Sequence, residues 1–354
     1  MSPIKIGFVG LSTTGCASTV LAPSLTHPDL KGEYDIVAVS TTSEASAQKS
    51  ADKYSADVGH AIKAYHGDTS KIASDPDVDL VAVAKDFFLE WPAGASLEET
   101  RAIAEAAHKQ GVRTIIGLQG RHSAALRKIK EILASGAIGA VKSTNVLAHV
   151  GREFPCWPPT VGEANQYVVE KKNGATRLSI PIAHQLDKLT YVLGNFASVT
   201  ATDATFYPTG QVVDAKGKPT GKTIHSETPD HYIISGTLES GVLVNVFWRA
   251  GYSSEEGTGR RQFVWEIDGE EGTIRIESHK PTGAFTGLYE PDMYVNGQKV
   301  EVDRDDVIES VKTAWKQFAT GEKGDYATID DAVKNHELID AIELSAREGR
   351  RVLL

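Results

Sequence analysis

The chain has 354 residues, more than one ordinary hydrophobic core organises, so two domains are expected. Its 41% hydrophobic and 24% charged residues are typical of a globular protein, and the net charge of -10 argues against direct nucleic-acid binding, which needs a basic patch to neutralise phosphates. No apolar run reaches membrane-spanning length, and the opening "PIKIGFVG" reads as a buried strand rather than a signal peptide. Cys16 and Cys156 lack disulfide-framework or metal-ligand spacing, so no metal site is expected and a cytoplasmic location follows, with the nucleus also open.

In chain order, residues 5–9, 35–39, 78–83, 87–90 and 113–118 read as strands. Between them "SEASAQKSADKY" and "SLEETRAIAEAAHKQ" have the composition and spacing of amphipathic helices. Ser96 followed by Glu99 is a capping-box signal, and Gly111 a helix stop. Alternation of strand and helix means a parallel sheet with helices on its faces. From Ser123 the pattern changes to one helix (124–134) followed by runs at 142–149, 198–207, 231–238, 242–249, 262–267 and 273–277 that read as antiparallel strands. A helix is expected over 177–193, the polar "TGQVVDAKGKPTGKT" reads as an exposed hairpin, and helices over 307–318 and 329–347 close the chain. The expected architecture is α/β: a Rossmann-like domain over 1–120 and an α+β domain over 121–354 with an open, mostly antiparallel sheet.

The run "VDLVAVAKDFFLEWP" breaks the alternation. Neighbouring parallel strands need a crossover of about a dozen residues or more, usually a helix. Here two strand-like runs meet between Ala84 and Lys85 with no spacer. Either they form one long strand, or the sheet is distorted and one crossover helix is missing.

"IGFVGLSTTG" sets Gly10, Ser12 and Gly15 where a dinucleotide fingerprint has three glycines, so Gly10, Leu11, Ser12, Thr13, Thr14 and Gly15 are candidate cofactor contacts. A glycine-rich strand-to-helix turn without a ligand reads equally well. The second strand runs into Ser40-Thr41-Thr42 with no carboxylate to bind a ribose 2′-hydroxyl. Thr41 is a further candidate, and either NAD or NADP is open.

The glycine loop, "FLEWP", "VRTIIGLQGRHS", "IPIAHQLDKL" and "TIDDAVKNHELIDAIELSAREGRRV" together resemble the glucose-fructose oxidoreductase, inositol dehydrogenase and MocA family over nearly the whole chain. "GFVGLS", "LEW", "GLQGR" and "TPDHYIISGTL" are most similar to its subgroup of fungal galactose/lactose repressors. The resemblance implies a Rossmann domain followed by a sheet domain that carries substrate contacts and often a dimer interface. It also implies hydride exchange with a nicotinamide and a group that moves the hydroxyl proton. The family's E-K-P motif falls on Glu90, Trp91 and Pro92, with tryptophan in place of lysine, and an indole cannot shuttle a proton. Its D-x-x-x-H motif falls on Ile180 and His184, so the carboxylate is lost and His184 remains the candidate acid/base. Asp187, one turn on, could orient the imidazole, and Gln119 and Arg121 fall at the entrance of the ligand cleft.

Each residue also has a plain reading: His184 as an interior histidine, Trp91 as packing, Asp187 as a solvated carboxylate, Arg121 as an interdomain contact. Two functions follow. One is an NAD(P)-dependent oxidoreductase acting on a small sugar-like, polyol or secondary-metabolite substrate. The other is a catalytically silent NAD(P)-binding regulator working through a protein partner. A homodimer through the sheet is implied by the resemblance alone.

Overall fold

The computed structural model describes residues 3–13, 17–80, 86–255, 257–285, 291–303, 305–321 and 324–354. In chain order the elements begin with β1 (Ile4–Val9), α1 (Ala22–Leu25), β2 (Tyr34–Thr41), α2 (Glu44–Val58), β3 (Lys63–His66), α3 (Ser70–Ala73), β4 (Phe87–Leu89), α4 (Leu97–Gln110) and β5 (Thr114–Ile116). They continue with α5 (Ala124–Ala134), β6 (Val141–Val150), β7 (Thr160–Gly162), α6 (Ala183–Leu193), β8 (Phe196–Ala204), β9 (Thr209–Val213), β10 (Pro219–His225), β11 (His231–Leu238) and β12 (Leu243–Ala250). The last are β13 (Phe263–Gly269), β14 (Thr273–Ser278), β15 (Asp292–Val295), β16 (Gln298–Val300), α7 (Val307–Ala319), α8 (Ile329–Glu348) and β17 (Val352–Leu353). Two compact units result. The first takes residues 1–93, 101–122 and 306–331, and the second takes 94–100, 123–305 and 332–354.

In the first unit β1 and β2 pair in parallel as expected, β3, which is not among the expected strands, joins them, and β4 and β5 form a separate parallel pair. Ser43, whose hydroxyl accepts from the Ser46 N–H, starts α2, and Gly59 at φ +84° ends it. Buried under the sheet, Trp315 of α7 packs its ring 5.5 Å from that of Tyr34 and 5.0 Å from that of Phe88. α7 joins this core because its Val311, Trp315 and Phe318 recur at helical spacing on one buried stripe.

The two sheets of this unit are stitched, among the described residues, at Leu80, which bridges Ile6 on one side and Asp86 on the other in parallel register. Leu80 therefore occupies the middle-strand position between β1 and β4. Asp86 is pinned from the far side, taking the Arg113 N–H at 2.6 Å and the Arg113 guanidinium at 2.6 Å. The parallel bridge of Leu80 with Asp86 sets the ends of the two runs side by side, which excludes one long strand, and the junction at Ala84 and Lys85 lies outside the described residues. Beside Leu80 the split leaves a cavity of about 540 Å³ lined by β1, β4, part of α4 and Trp315. Were such a cavity sealed and dry, at about 24 cal/mol per Å³ it would cost roughly 13 kcal/mol. That is the scale of a whole domain's stability, about 5–15 kcal/mol.

The second unit is built on a nine-stranded sheet in the order β16-β15-β14-β13-β6-β12-β11-β8-β17, antiparallel except for the parallel pair β6 and β12. Alternation sets its faces: Val146 and Ala148 of β6, Val246 and Trp248 of β12 and Trp265 and Ile267 of β13 are buried on one face, while Asn245 and Leu243 are exposed on the other. The polar excursion is the expected hairpin, β9 with β10. The β15–β16 hairpin is an addition to the expected elements. Its signal was Asn296-Gly297, both at positive φ (51° and 78°). Among the described residues no helix is long and apolar enough to cross a membrane.

Leu80→Ala leaves the main-chain bridges in place but removes the buried side chain at the stitch and enlarges the cavity. The expected cost is about 2–5 kcal/mol, read as a lower midpoint in urea unfolding of the full chain.

Candidate functional site

The glycine turn keeps its expected shape. Gly10 has φ +81°, its N–H donates to the Ser40 carbonyl at 2.7 Å, and a Cβ there would meet nothing within 4 Å, so conformation and not crowding selects glycine. The loop is anchored from below. Ser50 donates its hydroxyl to the Leu11 carbonyl at 2.5 Å, and Tyr54 donates to the Ser12 carbonyl at 3.1 Å and the Ser18 hydroxyl at 2.8 Å. Leu11 is wholly buried, and Ser12 donates its N–H to the Gly10 carbonyl at 2.9 Å, which takes that donor away from a phosphate. Thr13 follows the turn, and Thr14 and Gly15 lie outside the described residues. Thr41 is buried at the end of β2 and donates its hydroxyl to the Ser43 carbonyl. The geometry fits a dinucleotide turn at Gly10 and Leu11, with fewer free backbone donors than three glycines would give.

Glu90, Trp91 and Pro92 follow β4 in the same unit. Trp91 is buried, and its N–H meets a Glu90 carboxylate oxygen at 3.2 Å. Glu90 is exposed through the cavity, yet protein atoms crowd its carboxylate. The carboxylate lies so close over Gly117 that a Cβ there would come within 2.2 Å of it. This crowding strips water from the carboxylate and pushes its pKa up to about 7, against the smaller opposing pull of the Trp91 N–H. Gln119 and Arg121 sit on the 3₁₀ turn that follows β5. The Arg121 guanidinium is buried and paired with Asp331 at 3.1 Å, and the Gln119 side-chain oxygen is buried with no hydrogen-bond partner among the described residues.

His184 and Asp187 belong to the second unit, on α6, which is entered through a π-turn at Leu178–Ile182 containing Pro181. Residues 183–189 of α6 are all buried, although four of the seven, His184, Gln185, Asp187 and Lys188, are polar. A helix buried all round is ordinarily apolar, because an unpaired buried polar group is costly. Among the described residues, neither side-chain amide atom of Gln185 has a hydrogen-bond partner. Burial, aided by the Lys188 charge, drives the His184 pKa down to about 3, so the imidazole is neutral at physiological pH. Burial also lowers the Lys188 amine to about 7, with the Asp187 carboxylate pulling the other way. Lys188 is the residue that sequence reasoning passed over. Its signal was its place four residues after His184, on the same helical ridge as Ile180.

The candidate residues are thus divided. The glycine turn, Thr41, Glu90, Trp91, Pro92, Gln119 and Arg121 lie on the first unit, and His184, Asp187 and Lys188 on the second.

His184 has its folded pKa below its unfolded value of 6.5, so the unfolded chain binds more protons between pH 6.5 and about 3, and stability falls as pH falls through that window. His336, lowered to about 4 by burial, adds to the same trend. Glu90, raised to about 7, acts in the opposite sense over the same range, so the check is by difference: from pH 7 to 4 the unfolding midpoint of the wild type is expected to fall relative to that of His184→Leu.

Comparison with known proteins finds relatives of this chain. Residues 124–278 match the C-terminal domain of Gal80p. Dehydrogenase aclE of Aspergillus oryzae is 28% identical over 381 aligned positions, covering 98% of this chain and 97% of that protein. The alignment is longer than this chain's 354 residues, so the relative has residues with no counterpart here. Among solved structures, a super-repressor mutant of Gal80p from Saccharomyces cerevisiae superposes with a TM-score of 0.84 at 22% identity, covering 100% of this chain and 98% of that one. Levoglucosan dehydrogenase in complex with NADH and L-sorbose superposes at 0.74 with 17% identity, covering 100% and 99%. The chain is thus similar to Gal80p and to dehydrogenases of the Gfo/Idh/MocA-like oxidoreductase family, and its residues 124–278 match a Gal80p-like C-terminal domain.

Proposed function

We propose that the chain is an NAD(P)-dependent oxidoreductase acting on a hydroxyl or carbonyl of a small sugar-like, polyol or secondary-metabolite substrate. The observation that carries this reading is the buried polar stretch of α6, where His184 and Lys188 lie one turn apart and both are held toward their neutral forms. A dinucleotide, NAD or NADP, would be held by the turn from Gly10 to Gly15 and by Thr41, with Glu90, Trp91 and Pro92 beside its nicotinamide end. When bound it supplies hydride acceptance or donation.

The protein's part is the hydroxyl proton. A neutral amine at Lys188 can accept it, which offsets the loss of the family lysine at Trp91. The neutral imidazole of His184 offers a second acceptor on the same ridge. Asp187 is then a positioning carboxylate that holds the Lys188 charge near balance. The similarity to a fungal dehydrogenase over almost all of both chains supports an enzyme.

A second reading is favoured by one specific observation, the apolar residues Trp91 and Ile180 at two of the three proton-handling positions. On that reading the chain is a catalytically silent NAD(P)-binding regulator that acts through a protein partner, in the manner of its Gal80p relatives. A homodimer through the open sheet face, where Ile233 and Leu243 are exposed, suits either reading.

Purified protein given a panel of sugars and polyols with NAD or NADP is expected to turn over at least one of them, with kcat/KM for oxidation rising with pH through about 7 as Lys188 loses its proton. Lys188→Met should lower kcat/KM roughly a hundred- to ten-thousandfold and abolish that rise, while cofactor affinity measured by calorimetry stays as in the wild type. Cofactor binding with no turnover on the panel, together with a partner recovered only in the presence of NAD(P), would decide for the regulator.

A further inference from the structure

We propose that the second unit holds a site for a small aliphatic amine, in a cavity lined by β8, β11 and the C-terminal half of α8, where Asp203 and Tyr232 receive a primary ammonium group. The cavity measures about 310 Å³, at the lower end of the roughly 300–1,000 Å³ of small-molecule pockets. Asp203 of β8 and Tyr232 of β11 are paired across the antiparallel ladder, so their side chains leave the same face of the sheet. The α8 helix packs on β8, its Ser345 hydroxyl accepting from the Ala201 N–H at 2.8 Å. Glu343 and Arg347, four residues apart on one ridge of α8, join the lining, and Lys171 and Glu227 add their charges to it.

Charge and one buried hydroxyl set the ligand's chemistry. Three carboxylates, Asp203, Glu227 and Glu343, meet two cations, Lys171 and Arg347, which leaves one negative charge in excess. Glu343 is paired with the Lys171 ammonium at 2.7 Å, and Glu227 accepts the Lys171 main-chain N–H at 2.9 Å. Asp203 has no hydrogen bond or ion pair among the described residues, and loss of water and the Glu343 charge raise its pKa against the pull of Lys171. Tyr232 points to a ligand independently. It is 3% exposed and lines the cavity, yet its hydroxyl makes no hydrogen bond among the described residues, where a buried phenol ordinarily finds a partner. The other buried hydroxyls of the lining, Thr176 and Thr228, are engaged with Ser179 and Ser226. Among the described residues no cluster of side chains could hold a metal ion, so the cation that balances Asp203 is organic. None of the residues assigned to the cofactor or to the hydroxyl proton lines this cavity, and the inference stands whether or not the oxidoreductase reading does.

The probe is putrescine, titrated calorimetrically into the full-length chain at low ionic strength, with 1,4-butanediol as the uncharged molecule of the same length. Saturable binding of one putrescine per chain is expected, and none of butanediol. Asp203→Asn should weaken putrescine binding roughly tenfold or more, and Tyr232→Phe several-fold. Lys171→Met removes the cation that competes for Glu343 and should tighten binding, a change that damage to the fold would not produce. Asp57→Asn removes the same charge from α2 of the first unit and should leave binding unchanged. Circular dichroism and cooperative unfolding confirm that each variant is folded, and the exposed Asp203 and Lys171 report even if Tyr232→Phe does not fold. Absence of saturable putrescine binding to the wild-type chain overturns the proposal, as do equal binding of butanediol, unchanged affinity in Asp203→Asn or weaker binding in Lys171→Met. A loss in Asp57→Asn as large as that in Asp203→Asn also overturns it, because the amine would then be drawn by the net charge of -10 alone.

Discussion

A parallel strand cannot turn directly into its parallel neighbour. The chain must return to the starting edge, and a crossover helix normally does this while covering the sheet face. In this molecule the run from Val78 to Leu89 meets that constraint without room for a helix. Leu80 holds the middle position with one residue bridging Ile6 and Asp86, and the sheet divides there into β1-β2-β3 and β4-β5. The cavity beside Leu80, the concave surroundings of Glu90 and the reliance on Trp315 of α7 as a wall all follow from this division.

The same constraint bears on the chemistry. Glu90 follows the displaced β4, and its carboxyl is crowded by protein and lifted toward neutrality. Next to it, Trp91 stands at the position where the family resemblance implies a lysine. On α6 burial is strong enough to lower the pKa of a lysine to about 7 and of a histidine to about 3. Desolvation is the largest cause of both shifts.

Much of the architecture was legible in the sequence because it depends on local periodicity. The β-branched runs at 4–9, 34–41 and 141–150, the helices at 44–58 and 97–110 with their serine caps and glycine stops, and the hairpin from Thr209 to His225 all carry their patterns within a few residues. The parallel pairing of β6 with β12 was not legible, because register between strands a hundred residues apart is fixed by the matching of buried faces and leaves no local mark. The short β15–β16 hairpin rests on its Asn-Gly turn more than on strand character.

For the candidate site, the sequence by itself determined which residue types stand at the glycine turn, at Glu90, Trp91 and Pro92, and at Ile180 and His184. It also determined that no crossover fits between the strands meeting near Ala84. Only the tertiary structure decided how those groups behave: that Arg121 is occupied by Asp331, that Glu90 is crowded to a pKa of about 7, and that Lys188 is buried beside Asp187 and tuned to the same range. The physical reason is that ionisation depends on the water and charge around a group, and those are set by residues brought together from distant parts of the chain.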